Sequence, residues 1–482
     1  MQQLTGLDGA FLAMETPAVF GHVASLCVVD PTTAPQPLTL QRLSDLVAAR
    51  LHLVPPFRRR LVTVPFGLDQ PYWIEDPDFD LEYHVRSIAL PAPGTDEMLA
   101  EQAARLHARP LDRTRPLWEM YLISGLSGGR MAIYTKVHHA AIDGVSGSDV
   151  LVTMLDTTPE AADPPVEHAR VVDRMPGSAE LLARSALSLS RNPARAARVS
   201  LEVLRAAPRL ARIAGRPQLP IIDDLLDRAR GRSATLERPH LRAPHTPFNR
   251  PITSHRRWAF RDMSLTDVKA VKSAAGVTVN DVVMALSTGV LRRWLIDHDA
   301  LPSAPLVGAI PISVRTEAEK GTHGNRVSAM LAALPTHLED PLERLHAVSQ
   351  ATATAKQQHG ALPADLLADV TQFAMPALAG QAARLSARLR LIERVSPFNL
   401  IISNVPGPNT TLYYAGAELL AYYPLSAIAD GQGLNITVMS YRNKMFFGLI
   451  ACRELVPDLE VMADYLADEL RLLADALDVP IS

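Results

Sequence analysis

The segment between Gly177 and Arg216 constrains this chain more than any other. It holds eight arginines (184, 191, 195, 198, 205, 209, 212 and 216), two glutamates (180 and 202), no lysine and no aspartate. Eight positive charges against two negative leave it at +6, and the rest of the chain, whose total is −3, at −9. So basic a stretch cannot supply a domain core, and it is preceded from about Thr157 by the Pro-rich, acidic run TPEAADPP, which marks a loop or linker. The expected picture is two α/β lobes with this basic linker between them. Within the stretch Val199, Val203, Ala206, Leu210 and Ile213 form one helical stripe, and Arg198, Arg205, Arg209, Arg212 and Arg216 a neighbouring one. Such a basic amphipathic helix could lie on an anionic membrane or a lipid droplet. Pro193 and Pro208 would break or kink it. The alternative is a helical linker with a solvated face, packed on the two bodies.

Both flanking regions mix helical and strand periodicity. In the first, Leu40–Leu53 and Glu97–His107 carry apolar residues at helical spacing, and Ala24–Val29, Met120–Ile123 and Met131–Val137 read as strands. In the last of these Ala132, Tyr134 and Lys136 alternate with Ile133, Thr135 and Val137. In the second region Arg257–Arg261, Leu306–Val314, Val327–Leu334, Phe398–Ser403, Leu434–Ser440 and Lys444–Ala451 are expected strands. Leu265–Lys272, Asn280–Ile296, Pro341–Lys356 and Pro457–Leu477 are expected helices, the second opened by a capping box of Thr278 and Asp281. The expectation is an α/β (α+β) protein with an N-terminal domain at 1–160, a basic helical linker at 161–250 and a C-terminal domain at 251–482.

Composition removes several function classes. A chain of 482 residues with 48% apolar and 21% charged residues has ordinary globular balance. A net charge of −3 and a pI near 6.6 argue against a nucleic-acid partner. The two cysteines, Cys27 and Cys452, can build neither a disulfide framework nor a four-cysteine zinc site, which fits a reducing cytoplasm. The opening MQQLTGLDGAFLAMET lacks a basic stretch followed by an apolar run, so a secretory signal is not expected. No uninterrupted apolar run reaches the length of a bilayer-spanning helix.

The sharpest local signal is Val137-His138-His139-Ala140-Ala141-Ile142-Asp143-Gly144, which follows a strand and precedes an expected helix, Ser148–Leu155. A histidine at a strand end is fixed by a sheet yet faces a cleft. Imidazole suits proton transfer at neutral pH. Asp143 could hydrogen-bond the His139 ring, or turn away and lock the loop through an arginine. Gly144 would permit the sharp turn. Two histidines after a strand can also be plain polar residues at a sheet edge. A metal is not expected, because His-His-x-x-x-Asp has no HExxH or Cys/His cluster beside it. Ser146 is a poor nucleophile candidate, since Ser148 stands where a G-x-S-x-G elbow needs its second glycine.

HHAAIDG resembles the HHxxxDG motif of CoA-dependent acyltransferases and peptide-synthetase condensation domains. Further motifs narrow the resemblance to bacterial wax ester synthase/acyl-CoA:diacylglycerol acyltransferases. They are LTGLDGAFLAMET (Leu4–Thr16), GHV (Gly21–Val23), Pro116-Leu117-Trp118, Asn280-Asp281, PISVR (Pro311–Arg315), Gly324-Asn325-Arg326 and Ser403-Asn404-Val405-Pro406-Gly407-Pro408. They run in family order along nearly the whole chain.

The resemblance implies two chloramphenicol-acetyltransferase-like domains, each a mixed sheet with helices, with a tunnel at their interface. It implies transfer of a long-chain acyl group from acyl-CoA to diacylglycerol, with a long-chain fatty alcohol as a second acceptor, and with no cofactor because acyl-CoA is a substrate. The second histidine, His139, would be the base and His138 its structural neighbour. Asp143 would form a structural ion pair with Arg315, or second with Arg115. Asn280 is a candidate oxyanion donor, with helix capping as its other reading. Pro116, Leu117 and Trp118 could line the acyl path, although core packing is favoured. Asn404 could contact substrate, although a turn role for Ser403–Pro408, linking the lobes, is favoured. Peripheral contact with the inner face of the membrane or with lipid droplets is expected through the basic linker. The competing functions are a non-catalytic lipid-droplet or lipid-binding protein of the same fold, an acyltransferase for a different lipid alcohol, and a condensation-type amide former.

Overall fold

The computed structural model of the chain describes residues 1–67, 69–141, 153–160, 174–191, 243–313, 327–359 and 397–481. Its first part runs β1 (Gln2–Gln3), α1 (Gly6–Met14), β2 (His22–Asp30), α2 (Leu40–Arg50), β3 (Arg59–Val62), β4 (Tyr72–Glu75), α3 (Leu81–His84), β5 (Val85–Ala89), α4 (Asp96–His107), β6 (Trp118–Ser124) and β7 (Met131–His138). Next come α5 (Ser178–Arg191), β8 (Arg256–Ser264), α6 (Leu265–Ala275), α7 (Val279–Asp297), β9 (Leu306–Ser313), β10 (Val327–Leu334) and α8 (Pro341–His359). The last part is β11 (Leu400–Val405), β12 (Tyr413–Tyr414), β13 (Ala417–Leu425), β14 (Leu434–Tyr441), β15 (Lys444–Cys452) and α9 (Leu459–Ala476). The elements expected from periodicity are present with shifted ends. The helix expected over Leu40–Leu53 stops at Arg50 and tightens into a 3-10 turn, Leu51–Leu53, ahead of Pro55. Most of the expected helix Ser148–Leu155 lies outside the described residues.

Two six-stranded sheets dominate, ordered β12-β13-β2-β7-β6-β5 and β10-β9-β11-β14-β15-β8. The second sheet is apolar on both faces because both are covered. Along β15 the period-2 alternation sends Met445, Phe447, Leu449 and Ala451 into one core, and Phe446, Ile450 and Cys452 into the other. The first of these cores lies against helices α6–α9. The second is shared with the first sheet, through Trp258 and Phe260 on β8 and Tyr422, Tyr423 and Leu425 on β13. Burying one such side chain is worth about 1.5–3 kcal/mol, so the shared layer holds the lobes together. The sheets touch backbone to backbone at Gly448, where a Cβ would come within 1.8 Å of the Pro424 carbonyl oxygen.

The boundary at 251 separates sequence rather than sheets. β13 belongs to the expected C-terminal domain, yet it pairs antiparallel with β2, from Glu418 opposite Asp30 to Leu425 opposite Ala24. Without it β2 would be an open edge beside the strand that carries the histidines. Ser403–Val405 ends β11 and the chain runs on through Pro408 to β12, passing from one sheet to the other.

The capping box of α7 is present: the Thr278 hydroxyl accepts the Asp281 N–H, and the Asp281 carboxylate accepts the Thr278 N–H. Asp281 also accepts the Thr352 hydroxyl of α8 at 2.7 Å. The described start of the expected linker folds back on the first lobe: Leu181 of α5 packs with Val64 and Tyr72. The arginine stripe at 198–216 lies outside the described residues. Among the described residues no single helix is long and apolar enough to cross a bilayer.

Candidate active site

β7 is an interior strand, paired antiparallel with β2 on one side and β6 on the other. At its C-terminal end the pairing is continued by loop backbone. The His138 N–H donates to the Leu117 carbonyl at 2.9 Å, and the His139 N–H to the Gly21 carbonyl at 2.7 Å. The chain then turns through one 3-10 turn, His139–Ala141. Two consecutive histidines therefore enter different surroundings.

His138 is 1% exposed. Its Nδ1 accepts the Ala140 N–H at 3.1 Å, so the ring proton resides on Nε2, which donates to Glu15 Oε1 at 3.0 Å. The same Glu15 oxygen accepts the Gly21 N–H at 2.8 Å, and Arg113 grips the other at 2.6 and 3.2 Å. Burial pushes the Glu15 carboxyl up. Hydrogen bonds from the His138 ring, the Gly21 N–H and Arg113 outweigh burial and bring it down to about 2.

His139 is half-buried, and Phe11 of α1 stacks on its ring with centroids 4.3 Å apart. Burial first, and His138 beside it second, hold the imidazole down at about 4, against its own backbone, which pulls upward. Among the described residues its Nδ1 is buried without a hydrogen-bond partner. At neutral pH the ring is uncharged and has a nitrogen free to take a proton, which is what a base requires. The histidines lie near the seam of the lobes. Arg256, which opens β8 in the second sheet, donates to the Ala18 carbonyl at 2.5 Å and lies over the Phe20 ring. The His107 ring, behind β7, reaches the Ser426 carbonyl just past β13.

The other sequence candidates divide. Asp143, Gly144 and Arg315 lie outside the described residues. Arg115, the second expected partner of Asp143, has Asp80 at 3.9 Å and lies over the Tyr83 ring. Trp118 is core: its faces are covered by Phe57 and His84, and its N–H donates to the Phe57 carbonyl at 2.8 Å. Leu117 is fully buried beside it, so packing, not an acyl path, accounts for both. Asn280 is half-buried in the first turn of α7, but Thr278 and Asp281 do the capping, which removes that role from Asn280. Asn404 is half-buried on β11, opposite Val438.

Sequence reasoning passed over Glu15, Arg113 and Phe11. One signal did point at Glu15. It is the C-cap of α1, where the helix dipole disfavours an acid. A carboxylate placed there needs cationic or N–H partners from elsewhere in the chain.

Comparison with known proteins agrees with this geometry. The family model described as the wax ester synthase/diacylglycerol acyltransferase catalytic domain matches residues 4–283, and that of the WS/DGAT C-terminal domain matches 323–474. A Mycobacterium tuberculosis protein named as a diacylglycerol O-acyltransferase is 36% identical over 482 residues, covering 99% of this chain and 91% of that one. Another from the same species, tgs2, also so named, is 36% identical with 98% of both chains covered. The solved wax ester synthase/diacylglycerol acyltransferase of Marinobacter aquaeolei VT8 superposes with a TM-score of 0.71 at 32% identity, covering 99% of this chain and 100% of that one. The starter condensation domain of rhizomide synthetase, at 13% identity and a TM-score of 0.52, shares the fold alone. The expected pair of chloramphenicol-acetyltransferase-like domains is thus the fold of this protein, and the chain belongs to the wax ester synthase/diacylglycerol acyltransferase family.

Proposed function

We propose that His139 is the general base with which this acyl-CoA-dependent O-acyltransferase moves a long-chain acyl group to the hydroxyl of diacylglycerol, and to long-chain fatty alcohols as second acceptors. One observation supports this above all: a half-buried imidazole, uncharged at neutral pH, carried on a turn that backbone bonds fix. An alcohol is far too weak an acid to ionise at pH 7, so it needs a base as it attacks. His139 takes the hydroxyl proton while the oxygen bonds the thioester carbon. The C–S bond then breaks, and the same proton goes to the departing thiolate. Atoms balance with no cofactor and no acyl-enzyme. Cys27 is unsuited to be a nucleophile, because burial pushes its thiol up to about 12.

Asp143 serves the loop through an ion pair with Arg315, and Asn280 is the candidate donor to the tetrahedral oxyanion. The acyl chain and acceptor meet at the seam of the lobes. The basic segment brings the enzyme to the inner face of the membrane or to lipid droplets, where its apolar acceptor resides.

The test is His139→Ala with oleoyl-CoA and either diacylglycerol or hexadecanol. Turnover should fall 100- to 10,000-fold, the range usual for general-base loss, at unchanged melting temperature. More than about 1% residual turnover would overturn the assignment. Release of CoA without either acceptor would overturn the substrate class.

A further inference from the structure

We infer that Glu15 is a positioning residue for the reaction: its carboxylate fixes the tautomer of His138 and, through it, the turn that carries His139. The inference rests on the reading of His139 as the base. It is carried by a closed circuit of hydrogen bonds. Glu15 Oε1 accepts the His138 Nε2–H at 3.0 Å and the Gly21 N–H at 2.8 Å. The Gly21 carbonyl accepts the His139 N–H at 2.7 Å. The next residue, Ala140, returns the circuit by donating its N–H to His138 Nδ1 at 3.1 Å. Both backbone N–H groups at the start of the turn are thus held, each through one residue, by a single carboxylate oxygen.

The tautomer decides whether the circuit closes. With the proton on Nε2, the His138 Nδ1 lone pair is open to the Ala140 N–H. Without an acceptor at Nε2 the proton can move to Nδ1, where it would meet the Ala140 N–H donor to donor. The turn would then lose a bond inside a buried region, where an unpaired donor is costly. Glu15 remains ionised throughout the working range, so its acceptor is permanent. The circuit is also tight. A Cβ on Gly21 would lie 2.8 Å from His138 Nε2 and 3.5 Å from Glu15 Oε1. Arg113 extends it to the ring itself: while holding Glu15 Oε2 it donates to the Leu12 carbonyl at 2.7 Å, in the helix whose Phe11 stacks on His139.

The experiment compares kcat and KM for oleoyl-CoA, with diacylglycerol as acceptor, in the full-length wild type, Glu15→Ala, Glu15→Gln, His138→Asn, Glu15→Ala/His138→Asn and His139→Ala. Removing a partner that orients a reacting group typically costs about 10- to 100-fold, so Glu15→Ala should lose that much in kcat with KM within about twofold. Glu15→Gln keeps an oxygen for both N–H donors and gives up only the pair with Arg113, whose side chain is 43% exposed and can turn to solvent, so it should stay within about threefold of wild type. Asparagine at 138 keeps an acceptor for the Ala140 N–H but cannot titrate or change tautomer. Adding Glu15→Ala to it should therefore cost less than about twofold more, since coupled residues are not additive. In ¹⁵N-histidine spectra His138 should be the Nε2–H tautomer in wild type and Glu15→Gln, and a mixture in Glu15→Ala. Where Glu15→Ala does not fold, Glu15→Met, similar in length and without acceptors, replaces it. A Glu15→Ala enzyme with wild-type kcat beside a dead His139→Ala overturns the inference and leaves the base assignment standing. So do losses at Glu15 and His138 that multiply, or a Glu15→Gln enzyme as impaired as Glu15→Ala. An active His139→Ala overturns the reading beneath it.

Discussion

The weak basicity of His139 has a consequence for the pH dependence of turnover. Burial and the neighbouring His138 hold the ring at about 4, below its usual 6.5. At 1.36 kcal/mol per unit, charging it costs about 3 kcal/mol more than in water. Only the neutral ring can accept the acceptor's proton, so activity is present above the ring's pKa and is lost as pH falls through it. At pH 5.5 an imidazole with the ordinary value would be about one-tenth neutral, whereas one at about 4 is almost wholly neutral. The quantity to measure is kcat/KM, which reports the free enzyme. It should be read by chromatographic product formation rather than a thiol dye, because such dyes need thiolate. Coenzyme A carries its own phosphate monoester, which titrates near pH 6. A dephospho-CoA thioester removes that group, and circular dichroism at each pH shows that the chain is folded. From pH 7.5 to 5.5, kcat/KM should change by less than about twofold. A tenfold fall over that range, with the dephospho substrate and unchanged dichroism, would mean that the ring behaves as a solvated imidazole. The base assignment would then lack the environment it depends on.

His84, stacked between Phe79 and Trp118, is held down to about 4 chiefly by burial. Between pH 6.5 and 4 the unfolded chain binds a proton that the folded chain refuses, so stability falls as pH drops through that window, by about 3 kcal/mol from this residue; thermal midpoints should decline accordingly, and less steeply in His84→Asn, and a pH-independent midpoint would refute this. Gly448→Ala would place a methyl 1.8 Å from the Pro424 carbonyl oxygen, between the sheets; a loss of about 3 kcal/mol, at the upper end of overpacking, should appear as a lower urea midpoint, and an unchanged midpoint would show that the sheets separate freely. The protein should bind vesicles containing anionic lipid better than neutral ones, and less well as salt rises; salt-independent binding would point to apolar insertion instead of the basic segment.

Much of the fold was legible because its signals are local. The Thr278 and Asp281 capping box needs only four consecutive residues, β7 announces itself by alternation and β15 by an unbroken apolar run. The sequence AELLAYYPL of β13 is apolar enough to be buried, but nothing in it states which sheet it joins. That choice is made by β2, nearly 400 residues earlier, which needs a partner at its open edge. The site shows the same division. The position of His138 and His139 at a strand end could be read from neighbours in sequence. The partners of His138 could not, since Glu15 lies 123 residues away. The neighbours of Arg115, Asp80 and the Tyr83 ring, were likewise not readable from its position in the sequence.

The long-range partners that sequence concealed share one property: each ties the histidine turn to something outside its own strand. Glu15 and Gly21 come from the segment that precedes β2, and Arg256 of the second sheet grips that segment at Ala18. β13, from the far end of the chain, closes the edge of β2 on the side away from β7. A base at the end of a strand is aimed only as well as the strand and the loop beside it are held. Here the first lobe supplies the strand, while the second holds the neighbouring loop and completes the sheet. That division explains why the shared core between the sheets is so fully buried around Trp258, Phe446 and Tyr423. If the lobes slid past one another, the sheet edge and the loop would shift together, and His139 with them. The geometry of the site is therefore a property of both lobes, although both histidines are encoded in the first.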